Sequence, residues 1–320
     1  MSGTVGSYQQ RALTFTVSLG TGAVGAGKPN TFKLAGLRGT ASIKKGGMPS
    51  MDSCVARVYG VVPAVMNACS TLGIPLPMTR LGNTLKVEAG NVGGGMSVVF
   101  YGALQNCWQD YSEAPDVAMS MTAFGSVAEA IQPVAPVSYR GAADVATMLA
   151  GIAQSKGWVF ENNGVAAVLS NPYYPGTALQ QVEAIARDAG IVAYVDTNSD
   201  PNVLAAWPRD GYRTKLPQLP LIAASTGMIG YPQFQSNGMS FRTLFNPSIR
   251  LNGAVIMQSS VGVAPTAAPN AAPVPPGTQS GGPNGKWMVI GPLTHDLSAQ
   301  IANGPWFTDA ACSRIPGPSS

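Results

Sequence analysis

The clearest periodicity lies near the start of the chain. Residues 11–19 read Arg-Ala-Leu-Thr-Phe-Thr-Val-Ser-Leu, with Leu13, Phe15, Val17 and Leu19 alternating with Thr14, Thr16 and Ser18. A period of two marks a strand with one buried face. A second run, 31–38, places Phe32 and Leu34 together, and 53–59, 84–89, 97–105 and 117–123 continue the series. Val117, Met119 and Met121 share one side of the last of these. Pro63 to Leu72 has Pro in its first turn and Gly73 just past its end, the punctuation of a helix. This order predicts an antiparallel barrel or sandwich.

The pattern changes near residue 132, where Gln-Pro-Val-Ala-Pro-Val forms a short linker. Over 142–156, Val145, Met148, Leu149 and Ile152 share a helical face, closed by Gly157. Strands 158–161 and 165–169 follow, with a hairpin predicted at Asn162-Asn163-Gly164. A second helix spans 178–189, with Thr177 and Gln180 spaced as a capping box and Gly190 beyond its end. Strands 191–196 and 203–207 complete a helix-hairpin-helix-hairpin order. After an irregular stretch to about 227, strands return at 239–245, 253–259 and 286–291, with a final segment from Asp296 to Phe307. Residues 262–285 hold six prolines and no charge, the composition of a long loop or linker. The expected organisation is a β domain over 1–131, an α/β domain over 132–225 and a second β domain over 226–320.

Charge sharpens this picture. Only 11% of the 320 residues are Asp, Glu, Lys or Arg, against about 25% in ordinary soluble domains. So little charge suggests a surface covered by partners. The net charge of +4 is too mild, and its basic residues too scattered, for nucleic-acid binding. The N-terminus lacks the basic-then-apolar order of a signal peptide, and Pro interrupts the charge-free stretches that could be mistaken for membrane spans. Cys54, Cys69, Cys107 and Cys312 show no C-x-x-C spacing and read as buried free thiols.

Chemical motifs fail on context. Gly20-Thr-Gly22-Ala-Val-Gly25 matches a dinucleotide fingerprint, but no helix can start after it to receive a pyrophosphate. The overlapping run to Lys28 resembles a phosphate loop, yet Pro29 stands where Ser or Thr should bind Mg²⁺. His295 is the only histidine, so a two-His zinc site is excluded; it reads as a strand-end or interface residue. Asp110, Glu113 and Asp116 read as a solvated turn rather than a catalytic acid pair. Lys44-Lys45-Gly46-Gly47 reads as an exposed turn. No cofactor and no catalytic residue is expected. The late aromatics, including Tyr231, Phe241, Phe245, Trp287, Trp306 and Phe307, read as a β core with some interface anchors.

Several stretches resemble one family. Gly227-Met-Ile-Gly-Tyr-Pro-Gln-Phe234, Gly238-Met-Ser-Phe-Arg-Thr-Leu-Phe-Asn-Pro-Ser-Ile249, Gly285-Lys-Trp-Met-Val-Ile-Gly-Pro-Leu-Thr-His-Asp-Leu-Ser298 and Asn303-Gly-Pro-Trp-Phe-Thr308 are similar to the baseplate hub proteins of contractile-tailed bacteriophages. So are Arg11-Ala-Leu-Thr-Phe15, Arg57-Val-Tyr-Gly60, Phe160-Glu-Asn-Asn-Gly-Val165 and Pro172-Tyr-Tyr-Pro-Gly176. The resemblance implies an α+β fold of two tail-tube-like antiparallel β-barrels with an inserted small α/β domain. It implies a structural virion subunit, assembled in the host cytoplasm. Its partners would be itself, as a homotrimer; the tube protein above; the trimeric spike below; and other baseplate proteins. Three copies would present a pseudo-sixfold ring and continue the DNA channel. Tyr231, Pro232, Phe241, Leu244, Phe245, Asn246, Pro247, Trp287, Gly304, Pro305, Trp306, Phe307 and Thr308 would be its structural or interface motifs. Two other readings are a peptidoglycan-cleaving tail enzyme and a receptor-binding tail module.

Overall fold

Hydrogen bonding draws both β regions into one sheet. The protein is described by a computed structural model covering residues 9–20, 30–47, 50–71, 82–216, 219–236, 238–260 and 283–315. The first region supplies β1 (Arg11–Ser18), β2 (Thr31–Ala35), β3 (Gly39–Lys45), β4 (Ser53–Tyr59), α1 (Pro63–Cys69), β5 (Thr84–Asn91), β6 (Met96–Asp110) and β7 (Ala118–Phe124). The last supplies β15 (Leu221–Ile222), β16 (Met228–Gln235), β17 (Gly238–Leu244), β18 (Ala254–Met257), β19 (Gly285–Ala299) and β20 (Trp306–Arg314). The order across the sheet is β2-β1-β5-β6-β7-β4-β3-β19-β20-β17-β16, with β15 and β18 as a branch on β19.

The two regions meet where β3 pairs antiparallel with β19, from Leu293↔Lys45 to Ala299↔Gly39. The sequence reading passed over β3, because Gly-Thr-Ala-Ser-Ile-Lys-Lys carries only Ala41 and Ile43 as an apolar face. It also reads only 286–291 of β19 as a strand, leaves Asp296 to Phe307 unassigned, and misses β16 and β20. The rest of the first region follows the alternation closely. Leu13, Phe15 and Val17 point into a core with Val58, Val87, Phe100 and Met121. Among the described residues, no ladder closes either half into a barrel. The glycine motif after Gly20 falls mostly outside the described residues. Its flanking strands pair antiparallel, Ser18 with Thr31, so it connects strand to strand. Gly73 and most of the Pro-rich stretch also fall outside.

Between the halves the chain forms α2 (Val127–Ile131), β8 (Val137–Ser138), β9 (Ala142–Asp144), α3 (Val145–Ser155), β10 (Val159–Asn162), β11 (Val168–Ser170), β12 (Tyr173–Tyr174), α4 (Ala178–Ala189), β13 (Ile191–Asp196) and β14 (Val203–Pro208). The Asp144 carboxylate caps α3 through Thr147 N at 2.8 Å. Thr177 and Gln180 form the reciprocal capping box of α4, which ends in left-handed Gly190. The expected hairpin at Asn162-Asn163-Gly164 does not form. Asn162 Oδ1 does accept from Gly164 N and Val165 N, at 3.0 and 2.7 Å, making a turn. The strands on either side then part: β10 pairs parallel with β14, and β11 pairs with β9. Of the expected helix-hairpin-helix-hairpin order only the second hairpin forms, β13 with β14. The β10-β14-β13 sheet is buried on both faces. Ala193, Val195, Leu204 and Ala206 pack with the helices, while Tyr194, Ala205 and Trp207 join the core of the C-terminal half. This is why 203–207 reads as a continuous apolar run.

Candidate functional site

The residues singled out by resemblance fall into an aromatic joint, the C-terminal core and a few exposed positions. Phe245 follows β17 and Trp306 opens β20, and the Phe245 amide donates to the Trp306 carbonyl at 3.0 Å. Their rings meet edge to face, with centroids 5.2 Å apart. Phe245 is likewise edge-on to His295, at 5.6 Å. Thr308 Oγ1 accepts from the Asn246 amide at 3.2 Å and shares a hydrogen bond with His295 Nδ1 at 2.9 Å. Ser298 donates to the Pro305 carbonyl at 2.8 Å, and Arg11 of β1 donates to the Gly304 carbonyl at 3.1 Å while lying over Trp306. The Leu-Phe-Asn-Pro and Gly-Pro-Trp-Phe-Thr stretches thus build one aromatic joint. Trp306 and Phe245 belong there to the core of the first half.

Phe241 and Trp287 lie instead in the C-terminal core, where Trp287 Nε1 donates to the Pro283 carbonyl at 2.8 Å. Pro232 is buried, whereas Tyr231 and Leu244 are exposed and stand apart from the joint. Phe307 is half-buried beneath the Arg242 guanidinium, which is paired with Asp309 at 2.7 and 2.9 Å. Pro247 lies beside the ionic seam described next, in a cavity shared with Asp196, Arg213 and Arg250. His295 is neither at a strand end nor on the surface. It sits within β19, wholly buried, and Nε2 has no partner. Burial, then the positive charges of Lys45 and Arg250, lower its pKa to about 3. It is therefore a neutral core residue at physiological pH.

The second assembly escaped the sequence reading. Lys44 is exposed, but Lys45, one position on in β3, points inward and is 1% exposed. Its ammonium bonds the Thr197 hydroxyl and lies 3.3 Å from Asp52 Oδ2. Tyr194 and Thr197 both donate to that same oxygen at 2.7 Å. Burial, then the Asp52 charge, push the Tyr194 phenol well above its ordinary range. Nearby, Arg213 grips Glu161 with two bonds of 2.9 Å and Asp196 at 2.7 Å. Arg250 reaches Asp196 at 3.4 Å and the Asn198 carbonyl at 3.1 Å. Burial alone would raise the Asp196 pKa, but Arg213, Arg250 and Lys45 hold it well below the carboxylate range. These charges tie the insert to β3, to the turn before β4 and to the segment before β18. The available signal was the strand period, which puts Lys44 and Lys45 on opposite faces.

The remaining acidic and thiol groups named above are paired or buried. Asp110 and Glu113 pair with Arg57 at 2.8 and 2.7 Å, and Asp116 pairs with Arg38 at 2.6 Å. Hydrogen bonds from Ser112, with Arg57 beside it, lower the Asp110 pKa; Tyr59 and Arg57 do the same for Glu113. Both carboxylates are ionised at neutral pH, so neither suits a general acid. The four cysteines are free and buried. Burial raises Cys54, Cys107 and Cys312 to about 12 and Cys69 to about 11, far from thiolate chemistry. Among the described residues, no group of three His, Cys, Asp or Glu could hold a metal, and no helix could cross a membrane.

The architecture is that of phage tail proteins. The 43 kDa tail protein of prophage MuSo2 from Shewanella oneidensis aligns over 96% of this chain and 97% of its own, with TM-score 0.55 and 9% identity. A tail protein from Neisseria meningitidis MC58 aligns over 94% and 96%, also at TM-score 0.55 and 9% identity. The Escherichia coli c3393 protein aligns over 87% and 74%, with TM-score 0.54 and 9% identity. It is a type VI secretion component described as similar to T4 tail proteins gp27 and gp5. At such identities these likenesses establish the fold. A search of curated proteins found no match. The model of the baseplate hub gp41 family matches residues 72–266, more than half of the sequence. The chain belongs to that family and is a structural component of a phage tail baseplate.

Proposed function

We propose that this chain is the hub subunit that joins the tail tube to the central spike. Three copies form a ring, and each contributes two tube-protein-like units, so the ring meets a hexameric tube with pseudo-sixfold symmetry. The units are residues 1–131 and 226–320, with 132–225 as the inserted α/β domain. A trimeric spike docks on the opposite end, and other baseplate proteins surround the ring.

The observation that carries this reading is the construction of the sheet. One half is backed by the Phe15–Val87–Met121 core and the other by the Phe241–Trp287–Val289 core. They are joined through β3 and β19, with β2 and β16 at the two ends of the sheet. Unpaired edges are templates for neighbouring chains, and a closed ring satisfies them. Each half is the counterpart of one tube barrel. Away from the cores the central strands present Thr40, Ser42, Lys44 and Thr294. Such a polar surface suits the wall of a channel through which DNA passes without sequence reading.

Light scattering of the purified protein is expected to give a mass near three times 32.9 kDa. Electron microscopy of virion tails is expected to place three copies at the distal end of the tube. A stable monomer that never joins tail particles would overturn the reading.

A further inference from the structure

A groove of about 350 Å³ opens at one end of the first half-sheet, where β4 runs into α1 and β6 turns towards β7. Val61 and Met66 form its floor, and Tyr59, Pro63, Tyr111 and Pro115 line its sides. Tyr59 is held in place: its hydroxyl donates to Glu113 at 2.9 Å, and the Arg38 guanidinium stacks 4.0 Å from its ring centre. Tyr111 is 61% exposed. The carboxylate at the rim, Asp116, is already paired with Arg38, so no unmatched charge asks for a charged ligand. Grooves with tyrosine walls and satisfied polar rims take polyproline II segments, whose rings slot between the aromatics at little entropic cost.

The sequence holds a stretch of matching composition. Residues 261–277 carry no charge and five prolines, including Pro273-Val-Pro-Pro276 with the P-x-x-P spacing. Within one copy the motif is tethered at the end of β19 away from the groove. The motif lies within ten residues of Pro283, a reach of about 36 Å even when fully extended. The groove is at the far end of β19: Ala299 pairs with Gly39, and Gly39 with Val58, next to Tyr59. The 15 residues of β19 have an extended length of about 48 Å, so a neighbouring copy is the better placed donor. We infer that the Tyr59–Tyr111 groove is a docking site for the Pro273–Pro276 segment of a neighbouring copy. The inference rests on the multi-copy assembly proposed above.

The test is a fluorescence titration of the full chain with a labelled peptide of residues 268–279. Saturable binding is expected, weakened at least tenfold by Tyr111→Ala in the protein. The same loss is expected for a peptide with every proline changed to alanine, which needs no protein variant. Absence of saturable binding, or equal affinity in all three pairings, overturns the site. Delivery between copies is read by mixing Tyr111→Cys chains with Val274→Cys chains under mild oxidation, where an interchain cross-link is expected. Cross-linking confined to single chains of the double variant at high dilution overturns it. The titration does not require assembly, so its failure is distinct from a monomeric mass, which would overturn the hub reading instead.

Discussion

Between β3 and β19 the halves of the sheet are joined by seven residue pairs and by the aromatic packing of Phe245 and Trp306. The insert packs Tyr194, Ala205 and Trp207 into the C-terminal core and adds a seam of buried charge to both halves, with Lys45, Asp52, Asp196, Arg213, Glu161 and Arg250. A backbone ladder satisfies its own polar groups and leaves the side chains free to be apolar. A seam without continuous strands must fix its geometry with side chains. Ion pairs do this directionally, but desolvation consumes much of their attraction. The comparison separates adhesion from placement: the first joint holds the molecule together, and the second sets where the insert sits.

The strongest way to break this contrast is to remove one member from each joint. Trp306→Ala is expected to cost about 3–5 kcal/mol in chemical denaturation, the usual loss for a large buried aromatic. Arg213→Met is expected to cost a similar 3–5 kcal/mol, because Asp196 and Glu161 lose their shared partner while still largely buried. The two should differ in kind. The Arg213 variant should open the insert to amide exchange before the sheet, whereas the Trp306 variant should loosen both halves together. Equal exchange patterns would erase the distinction.

Gly304→Ala should cost about 1–3 kcal/mol, as overpacking does, because a methyl there would press on Ser298 Oγ, which already bonds the Pro305 carbonyl. Thermal or denaturant midpoints measure it.

The pH dependence sharpens the contrast further. The folded pKa of His295, about 3, lies below its unfolded value of about 6.5. The unfolded chain therefore binds this proton first. The stabilising effect of the neutral ring is complete above about pH 6.5 and is lost as the pH falls from there towards 3. The slope approaches about 1.4 kcal/mol per pH unit. Asp196, whose folded pKa is also lowered, adds its own loss below the ordinary carboxylate range. Stability measured between pH 4 and 6.5 should fall less steeply in His295→Gln than in the parent chain; parallel slopes would refute the assignment. The smallest effect belongs to the solvent-exposed Arg38–Asp116 pair. Asp116→Asn should leave the denaturation midpoint unchanged, as exposed ion pairs usually do.

Much of this fold was legible where local chemistry and tertiary placement agree. β1 alternates cleanly because one face is core, and α4 carries its capping box and terminal glycine in the sequence. What could not be read was pairing at a distance. Asn162-Asn163-Gly164 makes the turn its residues favour, yet β10 finds its partner in β14, about forty residues later. β3 was hidden because small residues suffice where a strand is enclosed by neighbours. Lys45 misled because a lysine beside two glycines suggests solvent, whereas only the opposed burial of Lys44 and Lys45 reveals the seam. At the aromatic joint, resemblance picked out Phe245, Trp306 and Thr308, but nothing in their spacing showed that they meet around His295.

β19 also has a mechanical consequence. One continuous strand is paired with β18 at its start, β20 along most of its length and β3 at its end. A force that drags one half past the other along this strand loads the seven β3 pairs in shear, so they resist in parallel and part together. A force that peels the halves apart sideways meets the pairs one after another. The β3–β19 ladder is therefore stiff along β19 and compliant across it, an anisotropy that favours axial transmission wherever that strand runs along the direction of load.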